Sequence, residues 1–253
     1  MIKNFIKPFF LFFFRIKFFN QIFSIIKDLN YFEIIRTEKF FFYLLITNWI
    51  THYRAKTFFT KEPDTLVWIK KMDAYKVFWD IGANVGIYSI YAAKVHKNFK
   101  VYSFEPSVLN LNILFKNINK NKLNKKITII TSPLSDKLIL GNFNLGSSEE
   151  ASANSSFNAK SSRNLSYMTN SINSKLLKKF YKIQKPDYVK IDVDGNELEI
   201  LKDLLSVFNS IESILIEVNK NESEIKRLMT RKGYFLESKG TNTDNEVWRK
   251  KLS

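Results

Sequence analysis

The sequence has no cysteine, and acidic residues are scarce in it: 24 Asp and Glu stand against 40 Lys and Arg. The lack of cysteine excludes disulfides, zinc–thiolate sites and cysteine nucleophiles, and it fits a reducing cytoplasm. With 45% hydrophobic and 25% charged residues, the composition is that of a globular protein rather than a disordered one. A length of 253 residues suits one α/β domain with an appendage.

The charge imbalance gives a net charge of +16 and a pI near 9.7. Such a balance favours anionic partners, namely nucleic acid, anionic lipid or acidic glycan. Lysine is nevertheless spread through a sequence that is generally rich in Lys, Asn, Ile and Phe. No dense basic stripe with interleaved aromatics occurs in its central part. Lysines on solvated faces without a specific role therefore remain the alternative interpretation.

No apolar run is long enough to cross a membrane, although residues 1–60 hold 15 of the 24 phenylalanines. After Pro8, apolar residues recur at steps of three and four, which predicts a helix. Arg15 and Lys17 interrupt this segment well short of the ~20 apolar residues that a spanning helix needs. No small-residue cleavage site follows, which argues against a secretory signal. We therefore expect a Phe-rich, basic helical extension over residues 1–60.

This extension has two interpretations. Residues 1–28 form an interfacial helix that makes peripheral contact with an anionic membrane, or the extension packs on the rest of the chain or on a second subunit. The expected location is cytoplasmic, with the inner face of the membrane as the place of any peripheral contact.

From residue 61 to residue 253 the sequence alternates between strand and helix patterns. This order predicts an α/β fold with a mostly parallel, doubly wound sheet, and the final hairpin makes the last strand antiparallel. The Ser/Asn-rich segment Gly141–Ser174 interrupts the rhythm, either as a disordered surface loop or as a mobile lid over a site. The predicted strands are Val77–Ile81, Lys100–Phe104, Lys126–Thr131, Tyr188–Ile191, Ser213–Val218, Tyr234–Ser238 and Glu246–Arg249, and the predicted helices are Lys61–Met72, Val85–Val95, Leu109–Asn117, Glu197–Leu205 and Glu222–Lys232.

The first predicted strand runs into the turn Asp80-Ile81-Gly82-Ala83-Asn84-Val85-Gly86, and the second ends at Phe104-Glu105-Pro106. Gly82 and Gly86 allow a tight turn and close approach of a ligand, while the following helix directs its free N–H groups there. Asp80 can accept hydrogen bonds from the turn or from an ammonium group. Glu105 is placed to bind both hydroxyls of a ribose. The layout therefore predicts a nucleotide-type cofactor site.

The turn departs from the dinucleotide fingerprint, because Asn84 stands where the second glycine is expected. A pyrophosphate requires very close backbone approach at that glycine, whereas a cofactor without phosphate, such as S-adenosylmethionine, does not. A third motif, Asp187-Tyr188-Val189-Lys190-Ile191-Asp192-Val193-Asp194-Gly195-Asn196-Glu197, ends a buried strand with clustered carboxylates.

Together these three motifs resemble the FkbM family of S-adenosylmethionine-dependent methyltransferases. Thr60–Ile69 and Ser135-Asp136 also resemble members of that family, and the resemblance covers about residues 60–250. It implies a Rossmann-like class I methyltransferase sheet and O-methylation of a hydroxyl on a sugar, a glycan or another small acceptor. By position, the resemblance assigns the cofactor to Asp80, Gly82, Asn84, Gly86, Glu105, Ser135 and Asp192, with Glu105 at the ribose and Asp192 near the sulfonium and the acceptor.

An alcohol acceptor benefits from a general base, and Asp192, Asp194 and Glu217 are the candidate catalytic residues, with Asp192 favoured. Glu197 is interpreted as an acid in the first turn of a helix. A divalent cation held by Asp192, Asp194 and Glu217 is an alternative, but no metal is expected. His52 and His96 fall in no motif and are predicted to lie on the surface.

Three other functions are alternatives. A nicotinamide-dependent oxidoreductase is disfavoured by Asn84. A nucleic-acid methyltransferase is disfavoured because no Asn/Asp-Pro-Pro-Tyr motif follows the fourth strand, despite the net charge of +16. The third alternative is a membrane-associated binding module that keeps the fold and has lost catalysis.

Overall fold

The computed structural model describes residues 21–22, 29–158, 165–218, 220–241 and 243–251. Each strand and helix that was predicted after residue 61 is present, with ends that differ by a few residues. In chain order the elements are β1 (Tyr31–Arg36), β2 (Phe41–Ile46), α1 (Trp49–Lys56), α2 (Pro63–Lys70), β3 (Val77–Ile81), α3 (Ile87–Val95), β4 (Lys100–Phe104), α4 (Val108–Lys120), β5 (Ile127–Ile130), β6 (Leu140–Asn144), β7 (Ser156–Phe157), β8 (Ser166–Asn170), α5 (Ser174–Lys179), β9 (Tyr188–Ile191), α6 (Glu197–Val207), β10 (Ser213–Glu217), α7 (Glu222–Arg231), β11 (Tyr234–Lys239) and β12 (Asn245–Lys250).

Seven strands form the central sheet in the order β11-β12-β10-β9-β3-β4-β5. The five strands from β10 to β5 are parallel to one another, and β12 is antiparallel to both β10 and β11. This confirms the predicted α/β class and its antiparallel last strand, which lies between β10 and β11 rather than at the edge. The chain order of the strands reverses between β3 and β9. In open α/β sheets, ligands bind at the carboxyl ends of strands at such a switch point.

Helices cover both faces of this sheet and create two hydrophobic layers. Neighbouring residues of β3 divide between them: Phe78 packs in the layer of α2, α3 and α4, and Trp79 packs in the layer of α5, α6 and α7. This alternation follows from the two-residue period of a strand, and both side chains are fully buried. A strand fixed on both faces holds the residues at its carboxyl end in place.

The described part of the N-terminal extension packs on this domain. The backbone N–H groups of Tyr43 and Leu45 in β2 donate to the side-chain oxygens of Asn121 and Asn117, at 2.9 and 2.7 Å. Phe42 is fully buried in the same hydrophobic layer as α3 and α4. The packing interpretation is therefore correct for residues 31–58, which share a core with the sheet.

The prediction of a helical extension is wrong for residues 31–46, which form an antiparallel hairpin. β1 and β2 are rich in aromatic and β-branched residues, and these favour strands. The helical period was read from residues 9–26 and does not continue into this hairpin. The predicted membrane-binding segment, residues 1–28, lies outside the described residues except for residues 21–22. In the described ranges, no helix combines the length and the hydropathy that a bilayer crossing requires.

Residues 140–170 contain a small three-stranded sheet in the order β7-β6-β8, where a disordered loop or a mobile lid was expected. Phe143, Leu145 and Phe157 are buried together, and Tyr167 packs against them. These four residues are widely spaced among serines and asparagines, so the sequence shows no clear strand period. Residues 159–164 are outside the described ranges.

Both histidines were predicted to lie on the surface, and the prediction is wrong for His96. His96 is buried, and its Nε2 lies 2.7 Å from the carbonyl oxygen of Ile69. His52 is exposed, as predicted.

Candidate active site

The turn between β3 and α3 packs directly on the start of the loop after β9. Gly82 has φ +85°, and a Cβ there would lie 1.8 Å from the carbonyl oxygen of Asp192. Gly86 has φ +82° and caps α3, and a Cβ there would lie 2.4 Å from Cδ1 of Leu114. Both positions therefore require glycine for conformation and for space. Two hydrogen bonds fix the turn: the backbone N–H groups of Gly82 and Ala83 both donate to the carbonyl oxygen of Phe104, each at 3.0 Å.

Asn84 joins this turn to the acid that follows β4. Its φ of 52° is left-handed, a conformation that asparagine tolerates better than most residues. Its backbone N–H donates to Oε2 of Glu105 at 2.7 Å, and the N–H of Ser107 donates to Oε1 at 2.8 Å. The two bonds fix the plane of the Glu105 carboxyl group, and each oxygen keeps lone-pair capacity for a ligand.

Glu105 is buried, and burial raises the pKa of its carboxyl group to about 7, against the opposing effect of the two backbone hydrogen bonds. The group faces a cavity of about 650 Å³, part of it open to solvent. The other walls combine polar and apolar side chains, with Phe143 and Phe157 from the small sheet. A cavity with mixed polar and apolar walls at the switch point of the sheet is typical of a small-molecule site.

Residues 150–152, here named the strap, run beside this cavity, and Ser152 lines it. Four polar side chains from three other parts of the chain hold it. Asn48 donates to the carbonyl of Glu150 at 2.9 Å, Arg54 to that of Ala151 at 3.0 Å, and Asn84 to that of Ser152 at 3.0 Å. The side-chain oxygen of Asn110 accepts from the Ala151 N–H at 2.8 Å. The strap thus lies where the predicted lid was expected, and the extension and the cofactor turn both tether it.

A buried lysine lies among the acidic side chains next to the cavity. Lys190 in β9 is 1% exposed and forms an ion pair with Asp192. Its Nζ also lies 5.0 Å from the centroid of the Tyr88 ring. Burial opposes its charge, but Asp192, Glu62 and Asp80 together raise the pKa of Lys190 above its ordinary value.

Asp80 is 1% exposed beside this lysine and accepts a 2.5 Å hydrogen bond from Ser89. Its other oxygen, Oδ1, has no hydrogen-bond partner among the described residues. Burial raises the pKa of Asp80, with partial compensation from Lys190 and Ser89. Asp80 therefore lies under the turn rather than in the wall of the cavity.

Asp192 differs from Asp80 because about a third of its side chain, 32%, is exposed. Burial tends to raise the pKa of its carboxyl group, but the Lys190 ammonium outweighs this effect and lowers it below its ordinary value. The Glu217 carboxyl group lies within hydrogen-bonding reach of Asp192. Asp192 is thus an ionised, accessible carboxylate with a fixed cation behind it.

Asp192 lines two cavities. The first is the cavity that Glu105 faces, and the second lies on the other side of Gly82 and Asn84, between the turn and α1. Its further walls include Arg54, Lys61, Glu62 and Tyr88. Asp192 is therefore the acidic residue common to the walls of both cavities.

The structure brings five of the predicted residues to the wall of the first cavity: Gly82, Asn84, Glu105, Asp192 and Asp194. Asp80 and Gly86 support the turn from outside it, and Glu217 adjoins Asp192. Ser135 does not line the cavity, although Pro133 and Leu134 before it do. Glu197 occupies the first turn of α6 and accepts a 2.9 Å bond from the Gly195 N–H.

Sequence reasoning did not identify Lys190, Glu62, Tyr88 or Arg54 as site residues. Lys190 stands inside the third motif, and a lysine in the middle of an otherwise apolar strand was the signal that could have revealed it. Glu62 stands in the stretch Thr60–Ile69 that resembles the family, whereas Tyr88 and Arg54 lie outside every motif and only the fold brings them to the site. No three His, Asp or Glu side chains of the described ranges are grouped to hold a metal ion.

The methyltransferase FkbM domain matches residues 80–245, which is most of the chain and includes all three motifs. This chain belongs to the FkbM methyltransferase family. The family accounts for the glycine turn, for the acid after β4 and for the carboxylates after β9. The predicted resemblance and the methyltransferase class are confirmed, and the cofactor of the chain is S-adenosylmethionine.

Known proteins similar to this chain are distant. The hexuronic acid methyltransferase AglP of Haloferax volcanii is 25% identical over 173 residues, which cover 67% of this chain and 68% of that protein. The precorrin-6y C5,15-methyltransferase of Geobacter metallireducens has a TM-score of 0.48 at 16% identity, and covers 87% of this chain and 95% of its own. TrmK of M. capricolum, solved with S-adenosyl-homocysteine, has a TM-score of 0.46 at 19% identity, with 72% and 64% covered.

The residues present fit this cofactor. The carboxyl group of Glu105 is held in plane at the cavity wall, so it can accept the two hydroxyls of a ribose. Gly82 has no side chain, and Asn84 turns its own toward the strap, so the turn leaves space for a ligand. When bound, S-adenosylmethionine supplies an electrophilic methyl group.

Proposed function

We propose that this family member methylates an oxygen atom of a sugar, free or within a glycan, as an O-methyltransferase. The observation that carries the proposal is the position of Asp192, which is ionised, one-third exposed and shared by two cavities. The first cavity is assigned to the cofactor and the second to the acceptor. The similarity to a hexuronic acid methyltransferase supports a sugar as the acceptor class.

In this proposal each residue of the chain has a physical task. Glu105 holds the ribose hydroxyls, Gly82 and Asn84 border the methionine part, and Asp80 and Gly86 keep the turn in shape. Ser135 stays a prediction without support from the cavity. The resulting alignment is important because much of the rate of a displacement comes from holding the acceptor oxygen about 3 Å from the carbon it attacks.

Asp192 is the proposed base. Its carboxylate accepts the proton of the sugar hydroxyl as the oxygen becomes nucleophilic, and Lys190 keeps that carboxylate ionised and in place. Glu217 adjoins it and can share the proton. Asp194 also lines the first cavity and is the second candidate. A positioned base of this kind contributes about 10²- to 10⁴-fold to a rate.

The test is methyl transfer to a panel of methyl glycosides, with product position determined by mass spectrometry and NMR. We expect an O-methylated sugar and one equivalent of S-adenosylhomocysteine. Asp192→Asn should lower kcat by about 10²-fold or more and retain cofactor affinity. Asp244→Asn, at an exposed site outside the cavities, is the matched control and should keep full activity. Failure of the folded, cofactor-binding protein to methylate any sugar oxygen would refute the proposal.

A further inference from the structure

Helix α1 presents two large aromatic side chains to solvent on one face. Trp49 is 69% exposed and Tyr53 is 50% exposed, and their spacing of four residues places them side by side on the helix. The side chain of Asn48 caps this helix, in a capping box with Thr51, so the start of the helix is fixed. The aromatic pair is therefore held in position although it packs against no core.

These two rings form one wall of a third cavity, named here the acceptor groove. It is lined by α1, by Lys61, by residues 146–147 and by residues 152–154, which include the strap residue Ser152. The groove shares Arg54 and Lys61 with the second cavity, and that cavity reaches Asp192. The exposed rings and the proposed point of methyl transfer therefore border adjoining cavities.

The charge of the groove has one sign. Arg54 and Lys61 line it, and no acidic side chain appears among the described residues that form its walls. Lys61 is paired at 3.4 Å with Glu62, which lines the adjoining second cavity, so Arg54 is the cation offered to a ligand here. Arg54 is oriented by the 3.0 Å bond from its Nε to the carbonyl of Ala151, which leaves its terminal nitrogens available to a ligand. Among the described residues Arg54 forms no ion pair with a carboxylate. A planar guanidinium fixed at Nε is suited to bidentate binding of an anion.

We propose that the acceptor groove binds a sugar ring that carries a negative charge, with Trp49 and Tyr53 against its C–H face and Arg54 on its anionic group. Sugar rings have apolar faces and polar edges, which suit amphipathic aromatic side chains. The ring bound here, or its neighbour in the same glycan, then presents a hydroxyl to Asp192. This inference rests on the proposed function, because it assigns the acceptor class of the same reaction.

Intrinsic fluorescence provides a direct test. The other three tryptophans are Trp68, Trp79 and Trp248, and each is 3% exposed or less, so Trp49 is the tryptophan that a groove ligand can reach. The probes are the methyl glycosides of glucuronic acid and of glucose, titrated into the full chain with S-adenosylhomocysteine present. We expect saturable quenching of Trp49 by the glucuronoside at a concentration at least tenfold lower than by the glucoside.

The variants separate stacking from charge. Trp49→Ala should lower the affinity for both glycosides by about tenfold or more, as measured by saturation-transfer NMR. Arg54→Gln keeps a donor for the carbonyl of Ala151 and should bring the two affinities to within about twofold of each other. Arg231→Gln, an exposed site outside the cavities, is the matched control and should change neither. Inorganic phosphate at the same concentration should not displace the glucuronoside.

Several results would overturn the inference. They are equal affinity for the two glycosides, unchanged affinity in both groove variants, and full displacement by phosphate, which would indicate a general anion site. Methyl transfer to a sugar at the wild-type rate by Trp49→Ala would also overturn it and leave the proposed function intact. Failure of the proposed function is recognised separately, as absence of methyl transfer from a protein whose binding of S-adenosylhomocysteine is normal.

Discussion

Replacement of Glu105 by glutamine should make the stability of the protein less dependent on pH. Burial raises the pKa of this carboxyl group from an ordinary value of 4.5 to about 7 in the folded, cofactor-free state. A group whose pKa is raised by folding stabilises the folded state fully below its unfolded pKa. That contribution is lost as the pH rises through the folded pKa. Stability of the wild type should therefore fall between pH 5 and pH 8.

The size of the effect follows from these two values. A difference of about 2.5 pH units corresponds to about 3.4 kcal/mol at 1.36 kcal/mol per unit. Roughly 1 kcal/mol of it is already lost at pH 5, because the unfolded carboxyl group is then mostly ionised. The free energy of unfolding of the wild type, relative to Glu105→Gln, should fall by about 2–3 kcal/mol from pH 5 to pH 8.

Urea denaturation of the two proteins at a series of pH values measures this difference. Other titrating groups occur in both proteins and cancel in the comparison. Glu224→Gln, at an exposed position, is the control and should parallel the wild type at every pH. The free energies of unfolding of the wild type and of Glu105→Gln are compared at each pH. If their difference stays constant from pH 5 to pH 8 within the experimental error of about 0.5 kcal/mol, the assignment of a raised pKa to Glu105 is refuted.

Three further predictions concern the turn and the ion pair. Gly82→Ala should destabilise the protein by at least about 3 kcal/mol more than Gly195→Ala in urea denaturation, because both positions have positive φ but only Gly82 abuts backbone; equal losses would contradict the close contact. Lys190→Met should cost about 3–5 kcal/mol at pH 7. It should cost less near pH 4, because without the lysine burial raises the pKa of Asp192 and the variant can protonate it; a loss that does not diminish at low pH would contradict the ion pair. Asn84→Gly, which removes the side chain but tolerates the left-handed φ, should speed amide exchange in the strap by about tenfold with little change in global stability; unchanged exchange would show that the strap needs no tether from the turn.

Much of the sheet could be predicted from the sequence because its signals are local. The apolar runs Val77–Ile81 and Tyr188–Ile191 are bounded by turn residues, and the structure reproduces both ranges. The hairpin β1–β2 and the sheet β6–β7–β8 were missed for a different reason. Their stability comes from distant partners, such as Asn117 for Leu45, and such pairings leave no period in the sequence.

The candidate site divides in the same way. Gly82, Asn84, Glu105 and Asp192 stand in compact motifs, and the structure gathers them at one cavity wall. Arg54 reaches the site only because the extension packs beside the turn, and Glu62 reaches it from the start of α2. Their contribution depends on tertiary packing and becomes visible only in the fold.

The most direct test of the account is calorimetric titration of the full chain and of Glu105→Ala with S-adenosylmethionine. The account predicts binding with micromolar affinity in the wild type and a loss of at least about tenfold in the variant, since a buried acceptor for two ribose hydroxyls is removed. The affinity of the wild type should also weaken below pH 7, where Glu105 becomes protonated. A folded wild type that binds neither S-adenosylmethionine nor S-adenosylhomocysteine would contradict the account.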